Sequence, residues 1–346
     1  MRGVLKRFIA PVVLLTSLVA YSCAGNICIA KKKQSFDLSR NSAYLAIDIE
    51  KDLNPDYVIA DVRKGIVTNE DNYCLVERIL NKSTKRIKIE DKPLDISKSI
   101  DNLLKEEGFE YQDYSTWQDY VLGRNLLSHG FATRKIDCLG YALLYQGISE
   151  KNKLKLNMIN MPGHVSTRWN LEDNSYFNWD PTVARKCMDD AYISWKNISE
   201  DSINDCVYLK SLSKKEVIAH IIYNKCLVLK ERNQLDKAIE GIDTAIDFFP
   251  KYSDAYNLRG IVWKMLGSFD NAIDDFDKAI ELDENLGDSY YNRADVNLIL
   301  NNMAEANRDY NILKTLDKEL AERLEYIMKS QSLPQKQQST PISLAF

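Results

Sequence analysis

Cys138 stands second in DCLGYALLYQGISEK, residues 137–151, directly behind an aspartate. Asp137 takes the position where a helix finds its side-chain cap, so the thiol falls on the first helical residue. The thiolate is the reactive form of cysteine. The positive end of a helix, together with a neighbouring imidazolium, lowers the thiol pKa by favouring that form. Leu139, Ala142, Leu143 and Tyr145 would anchor the rest of the helix in a core and hold the sulfur still. A nucleophile suits such a placement.

A nucleophile needs a base within reach. Downstream, LKLNMINMPGHVSTRWNLEDNSYFNWDPT reads as strands joined around a turn at Glu172, Asp173 and Asn174. His164, Ser166, Arg168 and Asn170 are polar where Val165 and Trp169 are apolar, and Tyr176, Asn178 and Asp180 alternate with Phe177 and Trp179. For both apolar rows to share one face, paired residue numbers must sum to an even value, as for 164 with 180 or 166 with 180. That demands a loop of odd length and puts His164 and Asp180 on the same face, an imidazole oriented by a carboxylate. Arg168 and Asn178 share that face, either lining a cleft or facing solvent.

Each of these residues has a plainer explanation when taken singly. A lone cysteine is more often a small buried hydrophobe, a lone histidine a turn or core residue, and an aspartate before proline a turn former. Their order and common face favour a catalytic set, Cys138, His164 and Asp180. His129, in LLSHGFATRK, is the rival base and reads as a loop residue beside Gly130, while His220 reads as packing. An oxyanion donor is not identifiable, since neither Trp117 nor Asn125 sits in a clear motif. The seven cysteines are irregularly spaced without a CxxC pair, and three histidines leave little for a zinc site, so no metal or cofactor is expected.

Residues 41–80 and 94–107 read as helical, GFEYQDYSTW as a break and TWQDYVLGRNLL as another short helix. From Ala219 the chain repeats with a period of 34. Cys226, Gly260 and Ala294 share one register; Ala238, Ala272 and Ala306 share the facing one. Ile242, Phe276 and Tyr310 follow, then Ala245, Ala279 and Leu313. These positions resemble the tetratricopeptide repeat, whose helix hairpins bury their faces only by stacking. The third copy departs most, at Asn297 and Leu313, and AERLEYIMKSQ reads as a closing helix.

The ends differ from the rest. Arg2, Lys6 and Arg7 precede an uncharged run over residues 8–30, the pattern of an export signal or of a single membrane anchor. Residues 18–23, LVAYSC, loosely resemble a bacterial lipoprotein box ending at Cys23. A location at the cell envelope, exported or anchored, is therefore expected. The tail from Ser332 reads as disordered. With a net charge of −4 and interleaved charges, a nucleic-acid partner is not expected.

A cysteine at a helix start, PGHV on one strand and NWDPT on the next resemble the transglutaminase-like superfamily, whose core is that of papain-type cysteine enzymes. Joined to the repeats, the arrangement resembles a bacterial group of transglutaminase-like proteins. The resemblance implies an α+β papain-like core followed by an all-α tetratricopeptide array. It makes Cys138 the nucleophile, His164 the general base and acid, and Asp180 the orienter of acyl transfer through a thioester. Residues 1–30 then form a signal peptide or anchor, 31–94 a helical region, 95–212 the core, 213–330 the repeats with their closing helix, and 331–346 the tail. Expected partners are a protein or peptide on the repeats, and a membrane if the leader is uncleaved or lipidated. Hydrolysis is favoured over transfer to an amine, because the short hairpin offers no segment for a lid. The alternative is an inactive core serving as an interaction scaffold.

Overall fold

In the computed structural model, residues 36–50, 59–61, 65–67, 69–88, 90–113 and 126–332 are described. The leader over residues 1–30, Trp117, Asn125, nearly all of TWQDYVLGRNLL, and the tail after Ser332 lie outside them. Breakers and β-branched residues divide the first expected helical region. Pro55 precedes VIADVRKGIV and Gly65 lies within it, and α1 (Ser42–Glu50) is followed by strands β1 (Ile59–Asp61) and β2 (Gly65–Val67) before α2 (Asn69–Arg86) begins. The expectation of helix throughout residues 41–80 is thus corrected by an antiparallel hairpin pairing Ile59 with Val67. Helix α3 (Pro93–Glu106) has proline in its first turn, where no backbone donor is lost.

Next come β3 (Glu110–Tyr111), α4 (Leu127–Thr133) and β4 (Lys135–Ile136). His129 lies within α4, not in a loop. Gly130 misled the sequence reading because it permits close packing here: a Cβ on it would stand 2.4 Å from Ile136 Cγ2. Helix α5 (Cys138–Asn152) starts at the cysteine, and Asp137 caps it by accepting the Gly140 N–H at 2.8 Å.

Four strands form an antiparallel meander: β5 (Leu156–Met161), β6 (His164–Asn170), β7 (Tyr176–Asp180) and β8 (Arg185–Cys187). Pro162 and Gly163, with φ +60° at the glycine, make the two-residue turn that pairs Met161 with His164. Thr167 pairs with Trp179 and Asn170 with Tyr176, leaving the odd-length loop 171–175 that parity requires. Val165, Trp169, Phe177 and Trp179 pack in one core with α5 and α3. Indole N–H groups pin the layers: Trp169 Nε1 donates to Ser97 Oγ at 2.8 Å and Trp179 Nε1 to Tyr145 Oη at 3.0 Å. The other face, with Ile159 and Met161, is covered by α6 (Asp189–Lys196), α7 (Glu200–Asn204) and the segment to Leu209.

The remaining helices form an array. They are α8 (Lys214–Glu231), α9 (Leu235–Phe248), α10 (Ser253–Met265), α11 (Phe269–Leu282), α12 (Gly287–Ile299), α13 (Met303–Leu316) and α14 (Lys318–Ser332). Register residues Cys226, Gly260, Ala294, Ala238, Ala272 and Ala306 are buried or at contact points, as the repeat pattern demands. An ion-pair ladder recurs one period apart: Arg259 bridges Asp243 and Asp275, and Arg293 bridges Asp277 and Asp309. The array is continuous with the sheet region. Helix α8, started by a capping box between Ser213 and Glu216, places Val217, Ile218, Ile221 and Ile222 in the same core as Ala43, Ala46 and Ile47 of α1. Among the described residues no helix is long and apolar enough to cross a membrane.

Candidate functional site

His164 opens β6 and Asp180 closes β7, so the even-numbered register brings them together across the meander. The His164 Nε2–H donates to Asp180 Oδ2 at 3.2 Å, and both side chains are buried. Asp180 also forms an Asx turn, its Oδ1 accepting the Thr182 N–H at 3.0 Å and the Thr182 hydroxyl at 2.6 Å. The turn role and the pairing role coexist in one carboxylate. Burial by itself would raise the Asp180 pKa, but the hydrogen bonds from His164 and Thr182 outweigh it and hold the group below its ordinary value.

Cys138 is half-buried and joins this strand from the end of α5. The sulfur's partner on β6 is the Val165 N–H, one residue beyond His164. The expected lowering of the thiol pKa does not occur: burial first, and then the Asp137 carboxylate, push Cys138 up to about 12. The Val165 and Leu139 N–H groups act in the opposite direction and are outweighed. The capping carboxylate that starts the helix therefore opposes the charge the helix end would favour. Cys74, Cys187, Cys206 and Cys226 are also free thiols.

The even face is enclosed. Arg168 is buried, donating from Nε to Asn178 Oδ1 at 2.8 Å, from Nη1 to the Leu209 carbonyl at 2.5 Å and from Nη2 to Asp189 Oδ1 at 2.5 Å. Its guanidinium lies 4.1 Å from the Tyr176 ring centroid. Arg168 and Asn178, both buried, thus tie α6 to the sheet and do not face solvent. His220 does pack: it is buried in α8, accepts the Tyr252 hydroxyl at Nδ1 at 2.7 Å, and is pushed down to about 4 by burial. Among the described residues no group of three or more His, Cys, Asp or Glu side chains could hold a metal ion.

Sequence reasoning missed helix α6. Tyr192 Oη donates to Asp180 Oδ2 at 3.1 Å, and Trp195, three residues on, meets the His164 ring edge-on at 5.3 Å. The spacing in DDAYISWK puts both aromatics on one helical face, a signal that could have been read. Lys196 lies 4.2 Å from the Trp195 ring centroid; burial lowers its pKa, while Cys138 and Asp254 of α10 raise it.

Residues 253–286 match the family model of the tetratricopeptide repeat. The second repeat is a tetratricopeptide repeat. Similar solved structures include the Arabidopsis OM64 TPR domain, at 20% identity and TM-score 0.32, covering 34% of this chain and 98% of that one. The TPR2B-domain:pHsp70-complex of yeast Sti1 is 24% identical with TM-score 0.31, covering 34% and 99% of the two chains. The TPR2AB-domain:pHSP90-complex of yeast Sti1 is 15% identical with TM-score 0.32, covering 77% and 95%. No curated protein matches the chain. The chain thus holds a tetratricopeptide repeat within a helical array that adjoins a small sheet.

Proposed function

We propose that the sheet region is a transglutaminase-like core, near residues 95–212, that carries out cysteine-dependent acyl transfer on peptide amides. The tetratricopeptide array would bind the protein that carries the amide. The observation that carries this reading is the buried His164–Asp180 pair at 3.2 Å, on the strand whose next N–H meets the Cys138 sulfur. An ionised carboxylate only accepts, so it keeps the ring proton on Nε2 and leaves Nδ1 to take the thiol proton. Cys138 then attacks the amide carbonyl, His164 returns the proton to the departing amine, and water or a second amine releases the thioester. We further propose that residues 1–30 deliver the chain to the cell envelope, on their basic start and uncharged run.

A scaffold without catalysis is the second reading, favoured by the elevation of the Cys138 thiol to about 12. Iodoacetamide labelling across pH separates the two. An enzyme gives Cys138 alkylation well below the ordinary cysteine range that is lost in His164→Ala; a scaffold gives Cys138 no advantage over Cys74 or Cys206. Trapping an acyl-enzyme with peptide amides, with and without putrescine, then reports hydrolysis against transfer.

A further inference from the structure

We propose that Tyr192 is a positioning residue of the candidate site, its hydroxyl holding the Asp180 carboxylate against His164. The inference rests on the acyl-transfer reading of that site. Tyr192 is buried and donates to Asp180 Oδ2 at 3.1 Å, the same oxygen that His164 Nε2 reaches at 3.2 Å. Its only proton being used there, Tyr192 Oη accepts from Ser166 Oγ at 2.8 Å. The result is a directional chain from Ser166 through Tyr192 to Asp180, meeting the one from His164 on a single oxygen. The Trp179 carbonyl lies 3.0 Å from Ser166 Oγ but also accepts the Thr167 hydroxyl at 2.7 Å, so it keeps a donor when the single Ser166 proton goes to Tyr192.

A buried tyrosine needs one partner, and a neutral carbonyl would suffice for packing. Here it takes a carboxylate that already has three other donors, His164 and the two groups of Thr182. With both sides of Oδ2 occupied, the carboxylate cannot turn away from the imidazole, and the Nε2-protonated tautomer is favoured. Three residues along the helix, Trp195 closes over the His164 ring, so α6 grips both members of the pair. Around Asp180 and Tyr192 stand His164 from β6, Thr182 from the turn after β7, Cys138 from α5, Cys187 from β8 and Tyr111 from β3.

The test is Tyr192→Phe in the full chain, read two ways. Nitrogen-15 spectra of the three histidines, with His164 assigned from His164→Gln, give the tautomer; iodoacetamide gives the pH profile of Cys138. We expect the Nε2-protonated population to fall and Cys138 alkylation at neutral pH to slow about tenfold, the loss expected for one hydrogen bond to a charged acceptor. Ser166→Ala, one link further away, should move both readouts in the same direction by less, and it serves as the readout should Tyr192→Phe fail to fold. An unchanged tautomer and unchanged profile in a folded Tyr192→Phe overturn the positioning role even where His164 governs Cys138. If instead His164→Gln leaves wild-type alkylation untouched, the acyl-transfer reading fails, and a tautomer shift in Tyr192→Phe still supports the hold on Asp180.

Discussion

Asp180→Asn is the sharpest perturbation of the His164–Asp180 pair, because the carboxylate receives four donors and offers none. Oδ2 accepts from His164 and Tyr192, and Oδ1 accepts from Thr182 N–H and Thr182 O–H. An asparagine has one acceptor oxygen and one donor nitrogen, so either orientation turns an NH2 group towards two existing donors. Two hydrogen bonds to a charged acceptor are lost at about 1.5–3 kcal/mol each, partly offset because the buried carboxylate no longer has to be desolvated. We expect a net loss of about 3 kcal/mol at neutral pH. The folded pKa of Asp180 is held below its unfolded value, so its contribution is complete above the unfolded pKa and disappears as pH falls through the folded one. Urea denaturation of wild type and variant, followed by tryptophan fluorescence with Trp179 next to the site, should show a gap that is constant from about pH 7 to pH 5 and narrows in stronger acid. A gap below about 0.5 kcal/mol at pH 7, or one that widens on acidification, would refute the four-donor account.

Gly260→Ala should cost about 1–3 kcal/mol, since its Cβ would stand 2.6 Å from Phe276 Cε1 in a closed core; thermal unfolding checks this. His220 has a folded pKa of about 4 against 6.5, so the unfolded chain binds the proton first: stability should be full above pH 6.5 and fall by up to about 3 kcal/mol towards pH 4. That step should be absent from the denaturation profile of His220→Gln. Deleting residues 219–320 removes Ile221 and Ile222 from the core shared with α1, each worth about 1.5–3 kcal/mol, so the sheet region should unfold with the array. Ending the chain before Gly287 should preserve the sheet's circular-dichroism signal and Cys138 protection, because Tyr208 keeps its bonds to Ser253 at 2.8 Å and Asp283 at 2.9 Å.

Several features were legible in the chain because they depend on neighbours a few residues away. A cap at Asp137 and an apolar run place the helix start at Cys138; strand parity alone sets the odd loop and joins His164 to Asp180; a 34-residue period identifies the buried small residues of the array. The errors came where local rules meet distant surroundings. Gly130 looked like a loop signal, yet it is the close contact with Ile136 that needs it. The Cys138 pKa follows in the sequence from the helix end and a neighbouring imidazolium, whereas desolvation depends on everything that covers the sulfur. Only the tertiary structure decided that Tyr192 and Trp195 close over the pair, that Arg168 is buried against Asp189, and that α8 completes the core of α1. Those contacts join segments separated by long stretches of chain, and side-chain spacing within one element carries no information about which other element will fold against it.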